Sequence, residues 1–283
     1  MLVNKRYIPV ILLIFVYFNL YSQFSTFEIY GAKSFALADV GTVFTDINSS
    51  YTNVAGLAAM KSGGINLHYQ NRFGFEELKA LGFSAAFKYE RIGTFAVTVK
   101  DFGIEQYNEF EGDIAYSRML TNALSGGIQF SFFNLAIKGY GSKNAVSLNA
   151  GLQYRFNGNL LFGFFVKNPF PVKFSSSTRL PTIVAMGVRF NTSDKLIFYS
   201  EVEKHIDFGY SVKIALEYKI ADVFTVYGGY ENNPAVYSGY GFGFAYSGVK
   251  KISIELTAKY NITLGISPSI GITYLFRDAG IQH

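Results

Sequence analysis

The residues able to do chemistry are few and scattered. Of three histidines, only His205 stands near acids, on one face of an alternating run with Glu201 and Glu203. Two carboxylates and an imidazole at spacings of two could bind a metal or move a proton. The same spacing lets Lys213, Lys219 or Lys259 neutralise them from neighbouring strands, and the sequence favours that structural ion network. His68 shares a run with Asn66, two of the three groups of a nucleophilic triad, but no flanking serine motif accompanies them. The stretch Gly239-Tyr240-Gly241-Phe242-Gly243 has the glycine density of a phosphate loop, yet no helix pattern follows it. Its glycines are expected to make room for a packed segment or to bend a strand. Cysteine is absent, which removes thiol nucleophiles and disulfides. No catalytic residue, cofactor site or metal site is expected, and the chain reads as a non-enzyme.

What must position these residues is β structure. The 283 residues are 49% hydrophobic and 18% aromatic but only 16% charged, against about 25% charged in an ordinary soluble domain. The net charge of +5 is dispersed, with no basic run to follow a phosphate backbone, so nucleic acid is excluded as a partner. Over 62–276 the chain alternates with period two. Tyr210, Val212, Ile214, Leu216, Tyr218 and Ile220 share one face, opposite Ser211, Lys213, Ala215, Glu217 and Lys219. Ile252 to Leu264 and Val146 to Phe156 repeat the pattern. About 14 such strands can be placed, each long enough to cross a bilayer at the usual tilt. The fold class is therefore all-β: a transmembrane antiparallel up-and-down barrel. Its polar faces put Arg155, Glu201, Glu203, His205, Lys213, Glu217, Lys219, Glu255 and Lys259 in the lumen. Connections after even-numbered strands are tight. Those after odd-numbered strands include the longest, Gly141 to Val146 and Pro171 to Arg179, as expected of a barrel whose short turns face the periplasm. The other outer loops are short, which argues against a loop-built hydrophobic groove.

The first 22 residues read as a secretory signal peptide: Lys5 and Arg6, an apolar core from Ile8 to Phe18, and cleavage after Ser22. The mature protein is thereby expected in the outer membrane of a Gram-negative bacterium, with outer-membrane lipid and the barrel assembly machinery as partners. Ser269, Gly271, Tyr274 and Phe276 resemble the C-terminal assembly signal of such barrels, followed by a tail, 277–283.

Between leader and first strand, 23–61 shows no sustained alternation. It contains Gly31-Ala32-Lys33, the acidic Asp46, and Asn53-Val54-Ala55-Gly56-Leu57. This text resembles the N-terminal region of the FadL-type fatty acid transporters, and equally of the PorV and PorQ proteins associated with type IX secretion. Lys33 stands where that pattern has arginine, and Val54 where it has proline. The resemblance implies a 14-stranded barrel plugged by its own N-terminus. It also implies hydrophobic substrates passing through wall or lumen in the transporter branch. Three functions remain open at this point: transport of small hydrophobic molecules, an accessory that holds or shuttles cargo for type IX secretion-system proteins, and a structural barrel with a sealed lumen.

Overall fold

A computed structural model describes residues 29–170, 172, 180–206, 209–233 and 238–276. The leader, its cleavage site and the tail 277–283 lie outside the described residues. Fourteen strands follow in order: β1 (Gly64–Asn71), β2 (Lys79–Tyr89), β3 (Gly93–Ile104), β4 (Tyr107–Met119), β5 (Leu124–Ile137), β6 (Gly141–Arg155) and β7 (Leu160–Lys167). Then come β8 (Ile183–Asn191), β9 (Leu196–His205), β10 (Gly209–Ala221), β11 (Phe224–Asn232), β12 (Gly239–Val249), β13 (Ile252–Asn261) and β14 (Gly265–Leu275). Each pairs antiparallel with its sequence neighbours, and β1 pairs with β14 from Gly64↔Leu275 to Gln70↔Ser269, closing the ring. Closure leaves no ladder edge to hydrogen-bond with lipid, the requirement for spanning a bilayer in β structure.

The alternation explains why the chain closes this way. Outward residues such as Ile214, Leu216, Phe242 and Phe244 are exposed, whereas Lys213, Glu201, Glu255 and Lys259 on the other face are buried. In water this arrangement would expose a large apolar surface; in lipid it is the favourable one. Connections after even-numbered strands are short, for example 222–223 and 250–251, and define a turn end. The opposite loop end carries 72–78, 168–182 and 233–238.

One expected loop is a strand. Gly141 to Val146 forms the start of β6, paired with β5 through Ile137↔Gly141 and Asn134↔Asn144. The sequence reads as a loop there because the alternation changes sign. On β5 the outward residues are Ile128, Phe130 and Phe132, then Asn134; the inward ones are Gln129 and Ser131, then Phe133, Leu135 and Ile137. On β3, Lys100 faces inward but is followed on that face by Phe102 and Ile104, while Asp101 faces outward. Polar groups leave the lumen and appear outside where the strands rise out of the apolar belt. Asn108 donates to Asp101 at 2.9 Å and Asn134 to Asn144 at 2.6 Å on that outer surface.

Residues 29–60 lie within the ring. Helix α1 (Ala32–Ala36) and two 3-10 turns, Ile47–Tyr51 and Val54–Ala59, are joined by tight bends in which Ala38 and Asp39 take positive φ. Asp46 and Asn53 cap the two turns by accepting from Asn48 N at 2.9 Å and Ala55 N at 3.1 Å. Such local caps suit a segment with no ladder to supply its backbone partners.

Candidate functional site

The interior contacts are built from charge, glycine and alanine on the wall, each meeting a specific part of the inner segment. Lys213 of β10 is fully enclosed and donates to Glu201 at 3.0 Å, Glu203 at 2.9 Å and the Asp39 carbonyl at 2.9 Å. Glu201 in turn accepts from the backbone of Gly41 at 2.9 Å and Thr42 at 2.8 Å. Lys259 of β13 bonds the Asp39 carboxylate and Glu231, the latter at 2.7 Å. Lys33 reaches Asp46 and Glu217, both at 3.1 Å, and Tyr199 donates to Glu217 at 2.8 Å. Buried charges with these partners are strongly coupled, because removing one leaves the others unpaired.

Both charges of the Lys33–Asp46 pair are held ionised. Burial alone would lower the Lys33 ammonium, but Asp46 and Glu217 outweigh it and keep it well above its ordinary 10.5. Burial would raise Asp46, yet Lys33 and the Asn48 donors hold it below its ordinary 3.8.

Glycines make the close approach possible. Three cross-strand pairs face inward: Gly127↔Gly151, Gly163↔Gly187 and Gly229↔Gly241. A Cβ at Gly127 would lie 2.8 Å from Ala55 N, and one at Gly241 2.5 Å from the Ala36 carbonyl. At Gly151 it would overlap Asn53, and at Gly163 the Thr42 carbonyl. Asn53 uses the space to donate to the carbonyls of Thr42, Leu152 and Phe164. Between these seats, Leu37, Val40, Val43 and Phe44 pack on Tyr199, Ala215, Tyr227 and Ala245. Ile47, Val54, Leu57 and Met60 pack on Ala86, Ala96 and Ala115.

At the loop end the interior is apolar on β3 and β5, with Arg72 over the Phe102 ring at 5.6 Å and Lys167 over Phe133 at 5.7 Å. Ile29 packs on Ala80 and Phe102, with Leu78 and Tyr107 beside them. Leu180 and Val172 of the β7–β8 connection fold onto Phe133, Ala145 and Leu135. Asn168, at positive φ, turns that connection inward, donating to Asn149 Oδ1 from its backbone and to the Leu180 carbonyl from its side chain. Beneath lies a cavity of about 20 Å³ between Tyr30, Tyr51, Lys100, Glu111 and Lys167, room for a single water.

The expected lumen charges divide. Glu201, Glu203, His205, Lys213, Glu217, Glu255 and Lys259 face the interior, and His205 meets Glu203 at 2.9 Å. Arg155 and Lys219 do not stay there: Arg155 ends β6 exposed, and Lys219 bonds Asp222 of the adjoining turn at 3.4 Å. Both follow the inward alternation, but at the turn end that face has reached solvent. Of the three lysines expected to neutralise Glu201 and Glu203, Lys213 does so among the described residues, while Lys259 bonds Glu231 and Asp39. Glu255 pairs with no lysine side chain among the described residues, and its Oε2 lacks a hydrogen-bond partner. Gly31, Ala32 and Lys33 open α1, and Val54, Ala55, Gly56 and Leu57 form the second 3-10 turn.

His68 does meet a serine, Ser269 at 3.2 Å, which adjacency on β14 supplies and local sequence could not. Asn66 donates to Thr273 instead of orienting the imidazole, so no triad forms. Gly271 faces inward beside Glu255, while Tyr274 faces outward and stacks near Phe276. Sequence reading missed Asp39, Glu231, five of the six paired glycines and the apolar mouth. The signal for the glycines was present as inward positions in facing runs.

No family model and no curated protein matches the chain. Solved structures do. The Ralstonia pickettii toluene transporter TbuX is similar with a TM-score of 0.68 at 12% identity, over 89% of this chain and 100% of that one. The CymD monoaromatic hydrocarbon channel gives 0.66 at 12%, over 89% and 98%. A Pseudomonas aeruginosa FadL homologue gives 0.59 at 11%, over 87% and 98%. The fold of this chain is thus the FadL-type barrel, as its N-terminal text implied.

Proposed function

We propose that this protein sits in the outer membrane of a Gram-negative bacterium and passes small hydrophobic molecules across it. The observation that carries this reading is the sign change on β3 and β5, which gives the loop-end mouth an apolar lining of Phe102, Ile104, Phe133, Leu135 and Ile137. A water-filled pore has no use for that lining, whereas an apolar solute gains roughly 25 cal/mol for each Å² it buries there. The mouth is made by strands rising above the apolar belt, so the short loops do not argue against it. Structural neighbours described as a toluene transporter and a monoaromatic hydrocarbon channel support the same class of cargo.

Residues 29–61 act as a plug in this reading: most of their side chains are buried, and the cavity beside Tyr30 and Tyr51 admits no more than a water. Passage requires the plug to shift or the cargo to leave before reaching it. The test is entry of toluene and of a long-chain fatty acid into proteoliposomes carrying the protein. Faster entry than in empty vesicles is expected, and Leu135→Asp should remove most of the gain. Equal entry with and without protein would overturn the reading. A permanently sealed lumen, the second reading, is favoured by the enclosed Lys213 and Lys259 clusters.

A further inference from the structure

The wall carries a groove on its lipid face that the proposed passage does not use. It measures about 510 Å³ and lies across β5 to β9. One long side is a row of register partners, Leu152, Phe164, Met186 and Val202. The other is Tyr154, Phe162, Val188 and Ser200. The floor is the Gly163–Gly187 pair and the Glu201 backbone. Those glycines let the wall draw in against Thr42, and the dent appears on the outside.

The first row does not stop at β6. Leu152 is the partner of Gly126, which faces outward without a side chain, and Gly126 is the partner of Arg118. Arg118 is exposed, one residue from the turn-end terminus of β4. From Gly126 to Val202 the row crosses four strand spacings, about 19 Å. At a strand tilt of about 40° such a row climbs about 12 Å, half of an apolar belt ~25 Å tall. The groove itself begins at Leu124 and Leu152; its row, continued past Leu120 and over Gly126, ends at Arg118, a cation at head-group level, and groove and cation together span one leaflet.

We infer that it holds one phospholipid of the turn-end leaflet, phosphate on Arg118 and one acyl chain along the groove. An apolar dent of this volume at this depth cannot hold water. Its length matches a chain, and the charge at its open end matches a phosphate, for which guanidinium is the preferred donor. A free apolar solute would leave the cation without a role.

The chain contains no tryptophan, so a single one reports locally. Met186→Trp places it in the groove, Val202→Trp gives a second groove position, and Phe242→Trp on β12 faces lipid three strands away from it. Each variant is refolded, checked for the folded band in unheated gels, and titrated in detergent micelles with phosphatidylethanolamine bearing brominated chains. Groove reporters are expected to be quenched saturably, at a mole fraction about tenfold below the Phe242→Trp control, the ratio ~1.4 kcal/mol of head-group contact supplies. Adding Arg118→Gln should return them to the control curve. Parallel quenching at all three positions would overturn the proposal. So would equally tight quenching by brominated diacylglycerol or brominated fatty acid unaffected by Arg118→Gln, which would make the groove a site for apolar chains alone.

Discussion

At the scale of single residues, the interior is held by charges whose partners are fixed in space. Lys213 joins two carboxylates of β9 to the Asp39 carbonyl, so Lys213→Met leaves Glu201 and Glu203 buried and facing each other. Breaking a buried pair by removing one partner costs about 3–5 kcal/mol. Urea titration of the variant in lipid should show a loss of that size; a loss below about 1 kcal/mol, as for an exposed pair, would mean that the enclosure is not as described. The Lys33–Asp46 pair predicts a pH window. The contribution of Asp46 is complete above its ordinary 3.8 and is lost as pH falls through its lowered value. That of Lys33 is complete below its ordinary 10.5 and is lost as pH rises through its raised one. Protection of residues 29–61 from added protease should therefore be flat from pH 5 to pH 9, begin to fall below pH 4, and disappear from the acid side in Lys33→Ala.

At the scale of elements, the paired glycines decide how closely wall and inner segment meet. Gly151→Leu and Gly163→Val place atoms where Asn53 and Thr42 already lie, whereas a side chain at Gly228 on β11 meets nothing within 4 Å. The first two variants are expected to conduct ions in planar bilayers, and Gly228→Val to remain as silent as the parent. Conductance in Gly228→Val, or silence in the other two, would show that these contacts are not what seats the segment. Strands were legible because period-two alternation is a property of each strand by itself. Tyr210 to Ile220 could be assigned without any knowledge of its neighbours. The contacts of the inner segment were not legible in that way. Asp39 meets Lys259 across 220 positions, and only ring closure brings them together. The start of β6 was misread for a different reason: alternation defines a face but not the medium it faces, and Asn144 changed medium.

For the molecule as a whole, deletion of 29–61 is expected to leave a folded barrel with an open lumen, because every ladder runs between strands and none includes the inner segment. Single-channel recording should then show a large, weakly selective conductance absent from the full chain; a folded but silent deletion variant would place the seal in the wall side chains and the β7–β8 connection. Topology was readable at this scale because strand number, turn length and membrane closure constrain one another. The glycine at 241 was expected to make room, and does so against Phe35 and Ala36. The closing of the ring by β1 and β14 also sets a timetable. The segment made first ends up innermost, yet the seam that encloses it depends on the strand made last. Threading Lys33, Asp39 and Asp46 through a finished ring would strip their water before any partner was in reach. Docking onto the still-open sheet avoids that cost, so the full chain is expected to close its ring around a seated segment, whereas the chain lacking 29–61 closes the same ring around water.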